Sequence, residues 1–469
     1  MLTADFTKHS ELTYEVNDMH TLSLKEIAKG IGAEAVKDAL LSGISIDSRA
    51  VEKGDLYIAI KGENFDGHDF SKSAVENGAA AVMCHKDIDV DCPKIIVNDT
   101  QEAFLSLASW YRDTFSFPVI GLTGSVGKTT TKEMICAALS SELNTLKTEG
   151  NLNNQIGVPK TLMRLNSDFE AAVIEMGMDN KGQISVLSRC VKPTAAVITN
   201  IGVSHMENLG SREGILAAKL EILEGLSDGA PVFLNGDDPY LMSAQIENHP
   251  VIYYGINNSI CKYKAENIVP DGTSTSFEIH CDGDVYNVRI PTIGKHNVYN
   301  AVAAFAVAKE TGIAPENAIK GLLNYEPSGM RQRINQKGGV TFIEDCYNAS
   351  PDSVRAAINT LASFKTGRRV AVLGDMLELG TVSDDAHRDS GMLAAKKGID
   401  AVFTYGEKSV LTSMKAQEMG ISETAHFTSH EALAERINAY IKPDDVVLFK
   451  ASRGMKLENV IELVYKNLK

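Results

Sequence analysis

The stretch VIGLTGSVGKTT, residues 119–130, decides the fold of this chain. Its first five residues have the length and apolar character of a buried strand, and the glycines at 124 and 127 form a loop after it. Apolar residues then recur with helical spacing at positions 134, 135, 138 and 139. A strand, a glycine-rich loop and a helix in this order predict a phosphate-binding loop, because backbone N–H groups and the positive end of the helix dipole attract phosphate oxygens.

Two side chains of this loop carry the predicted chemistry. We expect Lys128 to reach the β- and γ-phosphates of a nucleotide and the Thr129 hydroxyl to bind Mg²⁺. The usual pattern G-x-x-x-x-G-K-[ST] is incomplete, since Leu122 occupies the position of its first glycine. The alternative is a glycine-rich turn that binds nothing, but the strand before the loop and the helix after it favour a nucleotide site.

The bulk composition excludes several classes of protein. A net charge of -15 argues against a nucleic-acid binder, which needs a basic face to neutralise phosphates. The seven cysteines are scattered and form no C-x-x-C pair, so a disulfide scaffold or zinc site is not expected and a reducing compartment is. No apolar stretch reaches the roughly 18–20 residues of a membrane span, and the N-terminus lacks a signal-peptide pattern. We therefore predict a cytoplasmic protein with no membrane span and no nucleic-acid partner.

The 469 residues are too many for one ordinary core, and alternating strand and helix patterns predict an α/β fold with three domains. The central domain holds the phosphate loop and is of the mononucleotide-binding type. In the last domain, strands alternate with helices and predict parallel Rossmann-like winding. A hairpin is expected at 277–281 and 285–290. The predicted divisions are an N-terminal extension 1–21 and domains 22–117, 118–335 and 336–469.

Three further residues are candidates, each with a simpler alternative. Glu175 ends an apolar strand, where a carboxylate faces the ligand crevice of an open α/β sheet, although a solvated strand end is the commoner case. His205, taken alone, is more often a loop histidine than a ligand. Lys219, taken alone, is an ordinary helix lysine.

The form T-G-x-x-G-K-T resembles the Mur ligase and folylpolyglutamate synthetase superfamily of ATP-dependent amide-bond ligases. The resemblance covers nearly the whole chain after residue 22. It implies ATP and two Mg²⁺ ions as cofactors, with Glu175 and Thr129 near one ion and His205 near the second. The segment A-K-x-E at 218–221 is similar to the one whose lysine is carbamylated, which implies a carbamate on Lys219. Lys128, His205 and Lys219 are then the expected catalytic residues.

The resemblance also implies how the nucleotide is bound between the second and third domains. G-x-H-N-x-x-N-A at 294–301 places two asparagines one helical turn apart, able to present amide edges to adenine. An N-cap and a polar helix face would be the alternative reading of that pair. An arginine reaches the phosphates and an aspartate contacts the ribose. The expected ATP-binding residues are Gly124, Ser125, Val126, Gly127, Lys128, Thr129, Thr130, Asn297, Asn300, Arg331 and Asp345.

Other segments look like the fourth-step ligases of this family, which join D-alanyl-D-alanine to UDP-MurNAc-tripeptide. In the first domain, IDSR at 46–49 resembles the UDP-sugar-binding domain that third- and fourth-step ligases share, whereas GDMLELG at 374–380 is closer to the fourth-step enzymes. Ser350-Pro351 departs from the family's usual Asn-Pro, and the N-terminal extension is unmatched. The expected substrate-binding residues are Ser48, Arg49, Asn151, Asn153, Asn154, Asn348 and Ser350.

Two rival functions remain at this point. One is a sister ligase, either a third-step Mur ligase or a folylpolyglutamate synthetase-like enzyme, although the third-step signature D-N-P-R is not found. The other is a P-loop switch that binds nucleotide and partner proteins, for which an N-K-x-D segment is expected and is absent. The third peptide residue of the substrate, L-lysine or diaminopimelate, stays open, and a monomer is expected.

Overall fold

The computed structural model describes residues 21–327 and 329–468. Residues 1–20 of the predicted N-terminal extension lie outside this part of the chain. Within it, no helix combines the length and apolarity needed to cross a membrane.

The N-terminal part is built on a parallel four-stranded sheet in the order β3-β4-β5-β6, next to a small antiparallel pair, β1-β2. Helix α3 packs against the central part of the chain, where the Tyr111 hydroxyl donates to the carbonyl of Leu165 at 2.7 Å. The elements are β1 Leu22–Ser23, α1 Leu24–Gly30, β2 Leu40–Leu41, β3 Gly43–Ser45, β4 Asp55–Ile58, α2 Ser71–Glu76, β5 Ala81–Cys84, β6 Lys94–Ile96 and α3 Thr100–Arg112.

The central part forms a nine-stranded sheet in the order β15-β14-β13-β12-β11-β10-β7-β9-β8. Neighbouring strands pair in parallel from β8 to β13 in this order. The β13–β14 and β14–β15 pairs are antiparallel, and the β14–β15 pair is the predicted hairpin. The elements are β7 Val119–Thr123, α4 Lys128–Leu139, β8 Thr145–Lys147, α5 Gly157–Leu162, β9 Ala171–Glu175, α6 Gln183–Val191, β10 Ala195–Ile198, α7 Met206–Leu209, α8 Arg212–Leu220, β11 Val232–Asn235, α9 Pro239–Met242, β12 Val251–Gly255, β13 Tyr263–Asp271, β14 Ser274–Cys281, β15 Asp284–Ile290, α10 Lys295–Glu310 and α11 Pro315–Leu323.

The C-terminal part forms a six-stranded sheet in the order β16-β17-β21-β18-β19-β20, parallel except for β16. This confirms the predicted parallel winding. Strand β16 starts two residues before the boundary predicted at 335. The elements are β16 Arg333–Lys337, β17 Val340–Asp345, α12 Pro351–Ala362, β18 Arg369–Gly374, α13 Ser383–Lys396, β19 Ala401–Tyr405, α14 Val410–Glu418, β20 Glu423–Phe427, α15 His430–Tyr440, β21 Val446–Lys450 and α16 Glu458–Asn467.

The strand order of the central sheet positions the site. β7 lies between β9 and β10, so the carboxyl ends of three adjacent parallel strands meet at one edge. The register pairs Leu122 with Glu175 and Thr123 with Ile198, which places the phosphate loop directly beside the ends of both neighbours. An open α/β sheet binds ligands at such an edge, where the chain turns in opposite directions from adjacent strands.

Candidate active site

One cavity of about 890 Å³ lies at this edge of the central sheet. Residues of the N-terminal, central and C-terminal parts of the chain line it. The whole phosphate loop lines this cavity, and Glu63 and Gln101 line it from the N-terminal part. Asp345 and Lys450 border it from the C-terminal part. Its volume lies within the range of small-molecule and cofactor sites, about 300–1,000 Å³.

The segment after β10 shapes the phosphate loop. The backbone N–H of Ser125 donates to the carbonyl of Asn200 at 3.1 Å, and that of Val126 donates to Asn200 Oδ1 at 3.0 Å. Asn200 Nδ2 donates back to the carbonyl of Val126 at 2.8 Å. Gly124 has φ +151°, and a Cβ there would overlap Thr199 Oγ1, so this close approach requires glycine.

Lys128, the first residue of α4, folds its side chain back onto the start of the phosphate loop. Its Nζ donates to the carbonyl of Gly124 at 2.8 Å. Burial lowers the pKa of this ammonium, and the nearby charge of Glu175 opposes that shift. The side chain therefore lies at the mouth of the loop, where a phosphate oxygen can replace the carbonyl.

Glu175 is the last residue of β9 and is 2% exposed. Its Oε1 accepts from Asn153 Nδ2 at 2.9 Å, whereas its Oε2 is buried without a hydrogen-bond partner. Buried polar atoms are rarely left unpaired, and a carboxylate oxygen is a preferred Mg²⁺ ligand. Thr129, also buried, lines the same cavity, so these two residues fit a cation.

His205 and Lys219 reach this cavity from the segments after β10. His205 has φ +62°, and its Nδ1 lies 3.4 Å from Asp179 Oδ1. Burial, followed by the charge of Lys128, lowers the pKa of His205 and favours the neutral imidazole that binds metals. In residues 21–327 and 329–468 no three His, Cys, Asp or Glu side chains cluster as a metal site, so the predicted donor set depends on Thr129 and a modified Lys219.

Lys219 lies on α8 and is 1% exposed, with its side chain on the cavity. Burial is the main cause that holds the pKa of its amine well below the usual range, and the positive charge of Lys128 adds to it. Among the described residues, no acid offsets these two effects on the pKa. Lys219 therefore lines the same cavity as the phosphate loop, and the carbamate that the resemblance implies stays a prediction.

Asn297 and Asn300 lie one turn apart on α10, and both line the cavity, yet their amides already have partners inside the protein. Asn297 Nδ2 donates to the carbonyl of Ile293 at 2.8 Å and to Gln332 Oε1 at 2.5 Å. Asn300 Nδ2 donates to Asn297 Oδ1 at 3.2 Å. The pair is thus part of a hydrogen-bond network as well as a lining of the cavity.

The C-terminal side supplies the predicted cation Arg331 and also Lys450, which the sequence did not single out. The Arg331 guanidinium stacks 3.9 Å above the ring of Tyr347. Lys450 Nζ lies 3.0 Å from Asp345 Oδ2 and donates to the carbonyl of Asn348 at 2.7 Å. Lys450 could have been found from its place at the end of the apolar strand β21, the position that drew attention to Glu175.

The predicted substrate-binding residues separate into two groups. Asn151, Asn153, Asn154, Asn348 and Ser350 all line the cavity. Two of them also shape local structure, since Asn154 Oδ1 caps the start of α5 and Ser350 is the N-cap of α12. Ser48 and Arg49 are not among the residues that line it; Arg49 is largely exposed and pairs with Asp47 at 2.7 Å.

Models of three Mur ligase domains match this chain: the family catalytic domain at residues 40–108, the middle domain at 122–308 and the glutamate ligase domain at 331–453. The chain is 41% identical over 448 residues to the UDP-N-acetylmuramoyl-tripeptide--D-alanyl-D-alanine ligase of Bacillus subtilis, covering 94% of this chain and 97% of that one. The chain belongs to the Mur ligase family.

Solved structures agree with this membership. A crystal structure of MurF from Acinetobacter baumannii superimposes on this Mur ligase with a TM-score of 0.88 at 31% identity, covering 96% of this chain and 99% of that one. The MurF ligase of Thermotoga maritima in complex with ADP gives a TM-score of 0.82 at 30% identity, covering 90% and 97%. The predicted fold class, three-part α/β with a phosphate loop in the centre, is confirmed.

Proposed function

We propose that this Mur ligase is an ATP-dependent amide-bond ligase that joins D-alanyl-D-alanine to UDP-MurNAc-tripeptide in peptidoglycan precursor synthesis. The proposal is supported by the name of the B. subtilis relative and by the ADP complex of the T. maritima structure. The observation that carries the proposal is that one cavity is lined both by the phosphate loop, Glu175 and Lys219 and by Arg331 and Asp345.

The reaction needs ATP because a carboxylate has no good leaving group. The terminal carboxylate of the tripeptide attacks the γ-phosphorus, which gives an acyl phosphate and ADP. The amine of D-alanyl-D-alanine then attacks the acyl carbon, loses a proton and expels phosphate. Phosphoryl transfer is catalysed mainly by positioning and charge stabilisation, which the loop N–H groups and Lys128 supply.

Thr129 and Glu175 would hold one Mg²⁺, and His205 with a carbamate on Lys219 would hold a second. Such ions neutralise charge on the phosphates and orient them. The neutral amine of Lys219 can attack CO₂ and lose a proton, which leaves an anionic oxygen donor of the kind Mg²⁺ prefers. Asn153 donates to Glu175 and so orients the carboxylate.

The nucleotide would lie between the central and C-terminal parts. Asn297 and Asn300 border the adenine end, Arg331 approaches the phosphates and Asp345 approaches the ribose. Asn151, Asn348 and Ser350 would contact the peptide part of the substrate, whereas Ser48 and Arg49 would contact the UDP part on the N-terminal sheet. A monomeric state and a cytoplasmic location stay predictions.

The decisive experiment measures phosphate release and amide product with purified protein, ATP and UDP-MurNAc-tripeptide. We expect phosphate release to rise sharply when D-alanyl-D-alanine is added. Stimulation by L-lysine or diaminopimelate with UDP-MurNAc-dipeptide, and none by D-alanyl-D-alanine, would instead identify a third-step ligase.

A further inference from the structure

Gln332 lies in the connection between the central and C-terminal sheets, one residue before β16. Its backbone is left-handed, with φ +56°, and its side chain is buried. A residue other than glycine is uncommon in this conformation and needs contacts that hold it there. The contacts of its side chain are therefore informative.

The Gln332 amide bonds both neighbouring parts of the molecule at once. Its Oε1 accepts from Asn297 Nδ2 at 2.5 Å and lies 3.1 Å from His296 Nε2, both in the first turn of α10. Its Nε2 donates to Thr360 Oγ1 at 3.2 Å, near the C-terminal end of α12. Asn297 and Thr360 are 3% and 2% exposed, so water cannot readily replace either bond.

The path continues from Asn297 to the phosphate loop. Asn300 Nδ2 donates to Asn297 Oδ1, and Thr131 Oγ1 donates to Asn300 Oδ1 at 3.0 Å. Thr131 lies in the first turn of α4, directly after the loop. Gly127 also packs on this amide, since a Cβ there would lie 2.9 Å from Asn300 Oδ1. Buried side-chain hydrogen bonds thus run without interruption from α12 to the phosphate loop.

We propose that Gln332 is a positioning residue that couples occupation of the nucleotide site to the placement of the C-terminal part of the ligase. The proposal rests on the proposed function only in assigning a nucleotide to the cavity that Asn297 lines. Asn297 Nδ2 donates both to the carbonyl of Ile293, within the central part, and to Gln332 Oε1, so Gln332 adds to the acceptors that hold this amide in one orientation. The same Gln332 amide bonds Thr360 of α12, so this orientation of Asn297 is most stable when α12 is in place.

This arrangement has a thermodynamic consequence. Since α12 stabilises the orientation of Asn297 through Gln332, a nucleotide that binds the oriented Asn297 favours the arrangement with α12 in place, and the coupling is reciprocal. Thr360 is not among the residues that line the cavity. We therefore expect an effect of Thr360 on nucleotide affinity to pass through its hydrogen bond with Gln332.

The test is a double-mutant cycle on ADP binding to the full-length protein, measured by titration calorimetry with Mg²⁺ present. Gln332→Met keeps the length of the side chain and removes both hydrogen-bonding groups, and Thr360→Val keeps the shape and removes the hydroxyl. We expect Gln332→Met to weaken ADP binding about tenfold and Thr360→Val about threefold, the costs of unpaired buried amides. The double variant should bind no more weakly than Gln332→Met alone, because coupled changes are not additive.

Asn335→Leu is the matched control. Asn335 lies three residues away on β16, and its Nδ2 donates to Glu344 Oε1 at 2.7 Å within the C-terminal sheet. Its loss should leave ADP affinity unchanged. A second measurement, small-angle scattering with and without ADP, should show a nucleotide-dependent decrease in radius of gyration in the wild type and not in Gln332→Met.

Unchanged ADP affinity in Gln332→Met, or additive losses in the double variant, would overturn the coupling. If Gln332→Met does not fold, Thr360→Val decides alone, and normal ADP affinity in that variant overturns the proposal. These binding measurements need no D-alanyl-D-alanine, so they do not depend on the ligase reaction. A protein that binds ADP and shows the coupling but forms no amide would contradict the proposed ligase function and leave this inference in place.

Discussion

Two lysines of the central part are equally buried and have opposite surroundings. Lys132, on α4, is 0% exposed; its Nζ donates to the carbonyl of Thr148 at 2.5 Å and lies 3.1 Å from Glu133 Oε1. Lys219, on α8, is 1% exposed, and burial together with the like charge of Lys128 lowers its pKa. Burying a charge is costly unless the charge is paired.

The difference separates a structural lysine from a chemical one. Lys132 pairs with the carboxylate of Glu133 and lies 4.0 Å from Glu175 Oε2, so it stabilises two acids, of which Glu175 is a proposed metal ligand. Burial lowers the pKa of Lys219, which favours the neutral amine that reacts with CO₂, and the side chain faces the cavity. The same residue type at the same burial therefore serves two purposes.

The largest expected effect is on stability, at Lys132. Lys132→Met removes the fully buried cation that lies 3.1 Å from the Glu133 carboxylate, and breaking a buried pair costs about 3–5 kcal/mol. The free energy of unfolding from urea titration measures this loss. Lys147→Met removes the other, half-buried partner of Glu133 and should cost no more than about 1 kcal/mol. Equal losses in the two variants would contradict the structural assignment of Lys132.

The next effect is catalytic, at Lys128. Lys128→Ala removes a preorganised charge from the phosphate loop and should lower kcat about 10²–10³-fold, or roughly 3–4 kcal/mol of barrier. The fold should persist, because backbone groups and Asn200 form the loop's hydrogen bonds. Near-normal turnover in this variant would mean that the loop is not the phosphate site.

Lys219→Ala should follow, with a loss of about 10–100-fold in activity, the usual range for groups that tune a metal site. A short carboxylic acid in excess should restore part of the activity by replacing the carbamate oxygen. Lys132→Met serves as the control, since no acid should rescue it. A fully active Lys219→Ala protein would contradict the proposal that the reaction needs a carbamate on Lys219.

The smallest effect is a pH dependence of stability in buffer free of CO₂. The pKa of Lys219 in the folded protein lies below its usual 10.5. Between the folded-state pKa and pH 10.5, Lys219 is therefore protonated in the unfolded chain and neutral in the folded protein. The free energy of unfolding of the wild type relative to Lys219→Met should therefore rise with pH in that window, by at most about 1.4 kcal/mol per pH unit. It should level off above pH 10.5. A flat difference would mean that Lys219 carries its proton in the folded state.

Local patterns in the sequence predicted the parts of this site that depend on neighbouring residues. The phosphate loop, the strand-end position of Glu175 and the 277–290 hairpin follow from short-range hydrophobic spacing and glycine placement. Ser350 was assigned to the substrate, but its position before Pro351 is also that of a helix N-cap, and turn chemistry could have indicated this.

Features that depend on distant residues could not be predicted. Lys132 in a helix is ordinarily solvated, and only the fold places Thr148 and Glu175 near it. Gln332 is likewise unremarkable in sequence, because its partners Asn297 and Thr360 lie 35 and 28 positions away. The different chemistry of the two buried lysines was carried by the family resemblance alone, since both appear as helix lysines.

The most direct test of that difference is ¹³C NMR of the protein equilibrated with ¹³C-labelled bicarbonate and Mg²⁺. We predict one carbamate carbon signal in the wild type, retained in a folded preparation of Lys147→Met and lost in Lys219→Ala. No carbamate signal in the wild type, or a signal that persists in Lys219→Ala, would contradict the assignment of Lys219 as the lysine that becomes a metal ligand.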